Sequence, residues 1–269
     1  MHALLDGDEA IFKAAVVTEE DVDWDDVGGG AIRRAATFEE CRRALDNIVR
    51  GWCNAVLADY EFQDFTFVLS PADRLLFRRG MDPTYKAGRS EKPEHYWALE
   101  EYARATYPVV EFPGLEADDA MGVLQGPGKI IVSQDKDMKT VPGALYITSK
   151  KLKTKITRER ADWWWMMQTL MGDSTDGFPG CTGCGPKTAE AILAEGANLK
   201  QWWPDIERQY QLPKTGRVRH MPPQSAADAL LQAKLSRILR PGEYDPKTGD
   251  VFYTVANHNI RFNAHDIRA

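Results

Sequence analysis

The 269-residue chain is 43% hydrophobic and 28% charged, the balance of a soluble globular protein with room for one large domain or two small ones. No run approaches the roughly 18 apolar residues of a transmembrane helix, and the N-terminal stretch MHALLDGDEAIF has neither the basic flank nor the long apolar core of a signal peptide. Four cysteines are too few for a disulfide framework, so a cytoplasmic protein with no membrane partner is expected.

In chain order, HALLD (2–6) predicts a short buried strand ending at Asp6, and DEAIFKAAVV a helix behind it. The acidic stretch EEDVDWDD (19–26) runs into Gly28-Gly29-Gly30 and reads as a loop. TFEECRRALDNIVRGWCNAVLADY predicts a long helix, opened by a capping box of Thr37 and Glu40. FTFVL (65–69) is a strand. Residues 75–93, LLFRRGMDPTYKAGRSEKP, are basic and punctuated by Gly and Pro, the pattern of a functional loop. Helices follow at EHYWALEEYARATY and EADDAMGVLQ, and strands at VVEF, KIIVSQD and ALYIT. From about residue 157 the strand signal stops, and RERADWWWMMQTLMGD, PKTAEAILAE, NLKQWWPDIERQY and SAADALLQAKLSRIL all predict helices. QLPKTGRVRHMPP (211–223) reads as a basic insertion and EYDPKTGDVFYTV as a closing hairpin. The fold class is therefore α/β, a mostly parallel central sheet flanked by helices and followed by a helical region.

Net charge is −6, but its distribution says more than its sum. Asp6 ends the first strand and Asp73 follows FTFVL. Glu116, Asp118 and Asp119 open the helix after VVEF. Asp135 and Asp137 follow KIIVSQ, and Asp173 and Asp176 precede a Gly-rich turn. In a parallel sheet the strand ends converge on the edge where such folds place their sites. Nine carboxylates there would repel one another by several kcal/mol without cations. Oxygen-only ligands suit Mg²⁺ or Mn²⁺, and so many acids suit two ions, the usual device for in-line attack on a phosphodiester. Setting the nine aside leaves 34 bases against 31 acids, a mildly basic remainder.

The motifs LLDGD, FRR, YKAGR, EADDAMG, SQDKDMKTV and GDSTDGFPGCTGCGPKTA stand in an order that resembles the 5′-nuclease (flap endonuclease) superfamily, in its bacterial and bacteriophage branch. The resemblance covers about residues 3–195 and implies a PIN-like α/β nuclease core (1–156) with a helical arch at about 75–97. A DNA-binding region (157–269) would follow, holding a helix-hairpin-helix element at 172–195. It implies that Asp6, Asp73, Glu116 and Asp118 surround one metal, and that Asp119, Asp135, Asp137, Asp173 and Asp176 serve a second. LSPAD before FRR departs from the usual spelling around Asp73, and Gly177 stands where Asn is common. Lys86 and Arg89 match the family's Y-K-x-x-R, where a flexible cationic pair can stabilise charge on a scissile phosphate. Tyr85 is expected to stack on a base, and Arg78 and Arg79 to touch phosphates. The implied reaction is metal-assisted hydrolysis of duplex DNA bearing a 5′ end or flap, with RNA/DNA hybrids as a further substrate class, by a monomer.

Gly180, Gly183 and Gly185 would let backbone approach a phosphate at a helix N-terminus, with Lys187 and Thr188 adding contacts and K⁺ held by the turn's carbonyls. The basic run KKLKTKITRER (150–160) divides evenly between a DNA contact and a solvated face. Of Trp163-Trp164-Trp165, at least two are expected in the core, since three successive helical residues cannot form one platform. The spacing Cys181-x-x-Cys184 lacks the further ligands of a zinc site and reads as two small apolar residues under the turn. Two other classes compete: a degenerate branched-DNA-binding protein, against which the full acid set argues, and a PIN-like ribonuclease, against which the turn and YKAGR argue.

Overall fold

The computed structural model describes residues 1–17, 20–22, 32–34, 36–58, 64–72, 75–213 and 223–265. Asp73, most of the acidic stretch and its glycines, and most of the 211–223 insertion lie outside the described residues.

The first strand, β1 (His2–Asp6), is the centre of the sheet. Helix α1 (Gly7–Val17) follows at once, and two short strands, β2 (Glu20–Val22) and β3 (Ile32–Arg34), pair separately. Helix α2 (Phe38–Leu57) begins with the expected capping box, in which Thr37 Oγ1 accepts from Glu40 N and the Glu40 carboxylate reaches back to Thr37 N at 2.8 Å. Its buried Cys41, Leu45, Val49, Cys53 and Val56 recur at three- and four-residue spacing, which is one helical face. Next come β4 (Asp64–Val68), a short helix α3 (Phe77–Met81), α4 (Tyr96–Thr106) and β5 (Val109–Val110). They are followed by α5 (Ala117–Leu124), β6 (Lys129–Ser133), β7 (Gly143–Ile147) and β8 (Leu152–Ile156).

The six strands run β5-β4-β1-β6-β7-β8, all parallel except β8, which lies antiparallel to β7. Because side chains alternate across a strand, β1 sends Ala3 and Leu5 to a core shared with α1, α2 and α4. Leu4 faces the opposite core, with Ala120 and Met121 of α5. The run KKLKTKITRER is thus half strand, half helix start. Lys153 and Lys155 alternate along exposed edge strand β8, where lysines discourage pairing with another sheet.

The remaining elements are α6 (Arg158–Met171), α7 (Pro186–Ala194), α8 (Leu199–Gln211), α9 (Ala226–Leu235) and the hairpin β9 (Asp250–Val255) with β10 (His258–Asn263). The hairpin turns at 256–257, with Ala256 left-handed at φ 49°, one strand later than EYDPKTGDVFYTV suggested. These elements enclose a third core, which holds Trp165 and also Cys181 and Cys184, both buried thiols as expected. Only Trp165 of the tryptophan triplet is fully buried. Trp163 and Trp164 are half-buried, under Arg160 and Lys139 respectively.

Helix α5 touches the C-terminal region closely. A Cβ built on Gly122 would lie 2.0 Å from the Leu239 carbonyl oxygen. Gly122→Ala must therefore push backbone apart, and overpacking of this kind costs about 1–3 kcal/mol. A lowered urea midpoint with unchanged slope is the expected result.

Candidate active site

Four segments bring carboxylates to the strand-end edge of the sheet. Asp6 ends β1, and its two oxygens accept from Glu9 N (3.0 Å) and Ser133 Oγ (2.7 Å). Glu116 and Asp118 sit at the start of α5. Asp135 caps a 3₁₀ turn after β6 by accepting from Asp137 N at 2.8 Å, and Gln168 Nε2 donates to Asp137. Asp173 and Asp176 lie in the turn after α6. That turn is closed by Asp173 N to Phe178 O (2.7 Å) and its reciprocal bond (3.0 Å), with Asp173 Oδ1 accepting from Thr175 N.

The basic loop folds onto these acids. Lys86 is buried, and its ammonium contacts Glu116 and, at 3.5 Å, Asp176. Arg89 Nη2 meets Asp176 at 2.7 Å, and Lys136 meets Asp173 at 2.6 Å. Lys86 adopts a left-handed backbone, φ 56°, its N–H donating to the Asp176 carbonyl at 2.9 Å. Such strain in a non-glycine residue gathers at functional sites. Gly177, also left-handed, faces the same loop, where a Cβ would come within 3.0 Å of the Thr84 carbonyl oxygen.

Three expected roles are corrected. Arg78 is 0% exposed and cannot reach a phosphate. Its guanidinium is bidentate to Asp119 (2.5 and 2.7 Å), reaches Glu116 at 2.8 Å, and donates to the carbonyls of Leu235 and Arg237. Asp119, equally buried, spends both oxygens on Arg78 and accepts from Leu239 N besides, so it is a structural partner rather than a ligand to an ion. Tyr85 is 2% exposed and hydrogen-bonds Glu116 (3.0 Å) and Asp176 (3.3 Å), which leaves its ring no face for a base. Arg79 is exposed.

In the glycine turn, Gly180 is buried and left-handed at φ 66°. A Cβ on it would lie 2.2 Å from Gly172 N, so this glycine serves backbone packing and not approach to a phosphate. Its N–H donates to Gln232 and its carbonyl accepts from Gln224. Gly183, Gly185, Lys187 and Thr188 are exposed at the start of α7, whose cap Gly185 supplies no side-chain acceptor.

The titration behaviour separates two halves of the cluster. Burial works against the Glu116 carboxylate, but Lys86 and Arg78 outweigh it and hold it at about 2. Asp173, opposed by burial, is likewise held low by Lys136. The other half forms no ion pair among the described residues, and the pull of Lys86 and Lys136 does not offset its burial. Burial and Glu9 push Asp6 up to about 8, and burial with Asp135 and Asp176 pushes Asp137 up to about 7. Asp118 is driven well upward by burial, Asp135 and Asp6, and Asp135 rises by burial and by Asp176. No described residue donates a hydrogen bond to Asp118. Crowded, under-neutralised carboxylates of this kind fit hard divalent cations. As arranged, no three ligating side chains among the described residues close around a common point. Glu116, Asp173 and Asp176 are instead held by internal cations.

Glu9, Ser133, Lys136 and Gln168 were not among the expected residues. Lys136 sits between the two acids of DKD, and Glu9 lies one helical turn beyond Asp6, so both were within reach of local spacing. Gln168 and Ser133 needed the tertiary structure.

Arg78→Met strands the buried Asp119 charge and is expected to cost about 3–5 kcal/mol, whereas Arg79→Ala should stay within about 0.5 kcal/mol of wild type. Denaturant unfolding compares them. A second expectation concerns pH. Asp6 and Asp137, with ordinary values of 3.8 in the unfolded chain, hold protons longer when folded. That contribution to stability is complete below about pH 4 and is lost as pH rises through about 7 to 8. In a chelator the melting temperature should fall over this window, and excess Mg²⁺ should recover more of it at the alkaline end than at the acid end.

Comparison with known proteins places this geometry. No protein-family model matches the chain. The exodeoxyribonuclease of Enterobacteria phage T3 is 33% identical over 204 residues, 71% of this chain and 65% of that protein, and the exonuclease of Escherichia phage T7 matches equally. The chain thus spans just under two thirds of the length of these phage relatives. A 5′-3′ exonuclease of Buchnera aphidicola is 29% identical over 206 residues, 68% of this chain and 72% of that protein. Among solved structures, the bacteriophage T5 D15 flap endonuclease, in a complex with DNA and metal ions, shares the fold at a TM-score of 0.57 and 17% identity. That match covers 87% of this chain and 88% of that one. With its acidic motifs gathered on one sheet edge, the chain is similar in sequence to these exonucleases and shares its fold with the flap endonuclease.

Proposed function

We propose that the protein is a metal-dependent, structure-specific 5′-nuclease, a 5′→3′ exonuclease and flap endonuclease that hydrolyses DNA phosphodiesters in replication or repair, primer removal included. The observation that carries this reading is the meeting of seven carboxylates from four segments with Lys86 and Arg89. Asp6, Glu116, Asp118, Asp135, Asp137, Asp173 and Asp176 would hold two Mg²⁺ or Mn²⁺ ions. Such ions supply a nucleophilic water at neutral pH and neutralise charge on the leaving oxygen.

The chain's own residues do the rest. Lys86 and Arg89 lie on the acids, one contact away from any phosphate brought there, and can stabilise the charge that develops on it. Gln168 and the 3₁₀ turn orient Asp135 and Asp137, and Ser133 orients Asp6. Arg79 is free to meet a strand phosphate. Gly183, Gly185, Lys187 and Thr188 present the N-terminus of α7 to duplex phosphates, which grips DNA without reading its sequence. The Gly180 and Cys181 carbonyls already accept internal hydrogen bonds, which weakens the expectation of K⁺ there. We assign residues 1–156 to catalysis and 157–269 to duplex binding, with a monomer acting on 5′ ends, flaps and RNA/DNA hybrids.

A 5′-labelled flap substrate tests this. Wild type with Mg²⁺ should release the labelled strand, leaving 5′-phosphate products, and Asp135→Asn should not. Lys86→Ala should lose about 10²–10³-fold in kcat. A flap left whole by wild type, or cut equally well by Asp135→Asn, would sink the reading.

A further inference from the structure

We propose that the cavity between α6, the segment after α9 and the β9–β10 hairpin is a second anion site, which binds the phosphoryl group of a nucleotide, free or within a strand. It shares no lining residue with the acid cluster and does not rest on the metal reading. Its volume is about 450 Å³, within the usual range of small-ligand sites.

Two nearly buried guanidiniums form its wall, Arg237 at 2% and Arg240 at 3% exposure. Each is only partly satisfied. Arg237 Nη2 pairs with Glu243, but its Nε and Nη1 have no hydrogen-bond partner among the described residues. Arg240 donates from Nε to the Thr140 carbonyl (2.8 Å) and from Nη1 to Asp162 (2.6 Å), while Nη2 has no such partner. The buried hydroxyl of Tyr253, on the same wall, is also unpartnered. Four buried polar groups left over in one cavity are unusual, because buried donors are nearly always satisfied.

What would satisfy them is an anion. The cavity is lined by Arg158, Arg237, Arg240 and Arg261, and Glu243 is the one acid among its lining residues. Asp162 and Asp250 stand behind, on Arg240 and Arg261. Burial and the neighbouring Arg237 lower Arg240 to about 10, the direction expected of a guanidinium short of negative charge. Guanidinium forks match phosphate oxygens, and stacking keeps such forks rigid. Arg237 is so stacked, 4.5 Å from the Trp165 ring centroid and 5.5 Å from that of Tyr253. At the mouth, Phe252 is 46% exposed and offers a face to a base.

The test uses the full chain in a chelator, which keeps divalent ions from the acid cluster. Two-dimensional NMR of arginine Nε–H groups observes Arg237 and Arg240 directly, with Arg237→Lys and Arg240→Lys giving the assignments. Inorganic phosphate, deoxyadenosine monophosphate, deoxyadenosine and a blunt duplex are titrated in turn. Phosphate and the nucleotide should shift both resonances saturably at millimolar concentration, and deoxyadenosine should shift neither. Arg261→Gln, an exposed change at the rim, should weaken binding about tenfold, one charge-assisted hydrogen bond. A duplex that shifts the same resonances and displaces the nucleotide assigns the site to a strand phosphate. A duplex that leaves them unmoved assigns it to a free nucleotide. Resonances unmoved by phosphate, nucleotide and duplex alike, or moved equally in wild type and Arg261→Gln, overturn the site.

Discussion

Like charges crowded at one edge of a sheet are the constraint around which this protein is arranged. A parallel sheet delivers its strand ends, and the carboxylates on them, to one place. Burial then removes the water that would otherwise screen them, and the carboxylates raise one another's proton affinity. The chain answers with its own cations on one side, where Lys86, Arg89 and Lys136 hold Glu116, Asp176 and Asp173. Asp6, Asp118, Asp135 and Asp137 form no ion pair among the described residues, and burial and mutual repulsion make them hold their protons to higher pH. The same attraction shapes the loop after α3, since it draws Lys86 into a left-handed conformation and Tyr85 beneath the acids.

A second electrostatic knot lies just beneath. Arg78 and Asp119 are both fully buried, a pairing that is tolerated only because each is saturated with partners. Two of those partners are the carbonyls of Leu235, the last residue of α9, and of Arg237 just beyond it, and Leu239 N closes the ring onto Asp119. The α/β sheet and the C-terminal helices are thereby joined through charge as well as through the apolar core that Phe77 and Leu115 share with α6. The segment from Leu235 to Glu243 serves both sides. One face completes the Arg78 knot, and the other presents Arg237 and Arg240 to the hairpin cavity.

Much of this was legible locally. The strands of the sheet read as short apolar runs, and Thr37 with Glu40 announced the start of α2. The acids could be assigned to one edge because strand ends in a parallel sheet have nowhere else to go. Cys181 and Cys184 could be read as apolar because the sequence offers no companion ligands. Strand β8 was missed, since alternating lysines on an exposed edge look the same as a solvated basic run.

What the sequence by itself determined is chemistry set by neighbours along the chain: element types, caps, and which segments carry acids. What only the tertiary structure decided is which of two similar side chains faces the site. Asp118 and Asp119 are adjacent, yet side chains about 100° apart on a helix go to different surroundings. Asp118 looks to the acid cluster, and Asp119 to an arginine 41 positions away. Arg78 and Arg79 divide in the same way, one buried and one exposed. Gly180 is small because Gly172 presses against it across the turn, a contact between backbones that spacing does not encode. Burial of a charge depends on a partner brought from far along the chain, and that partner is chosen by packing.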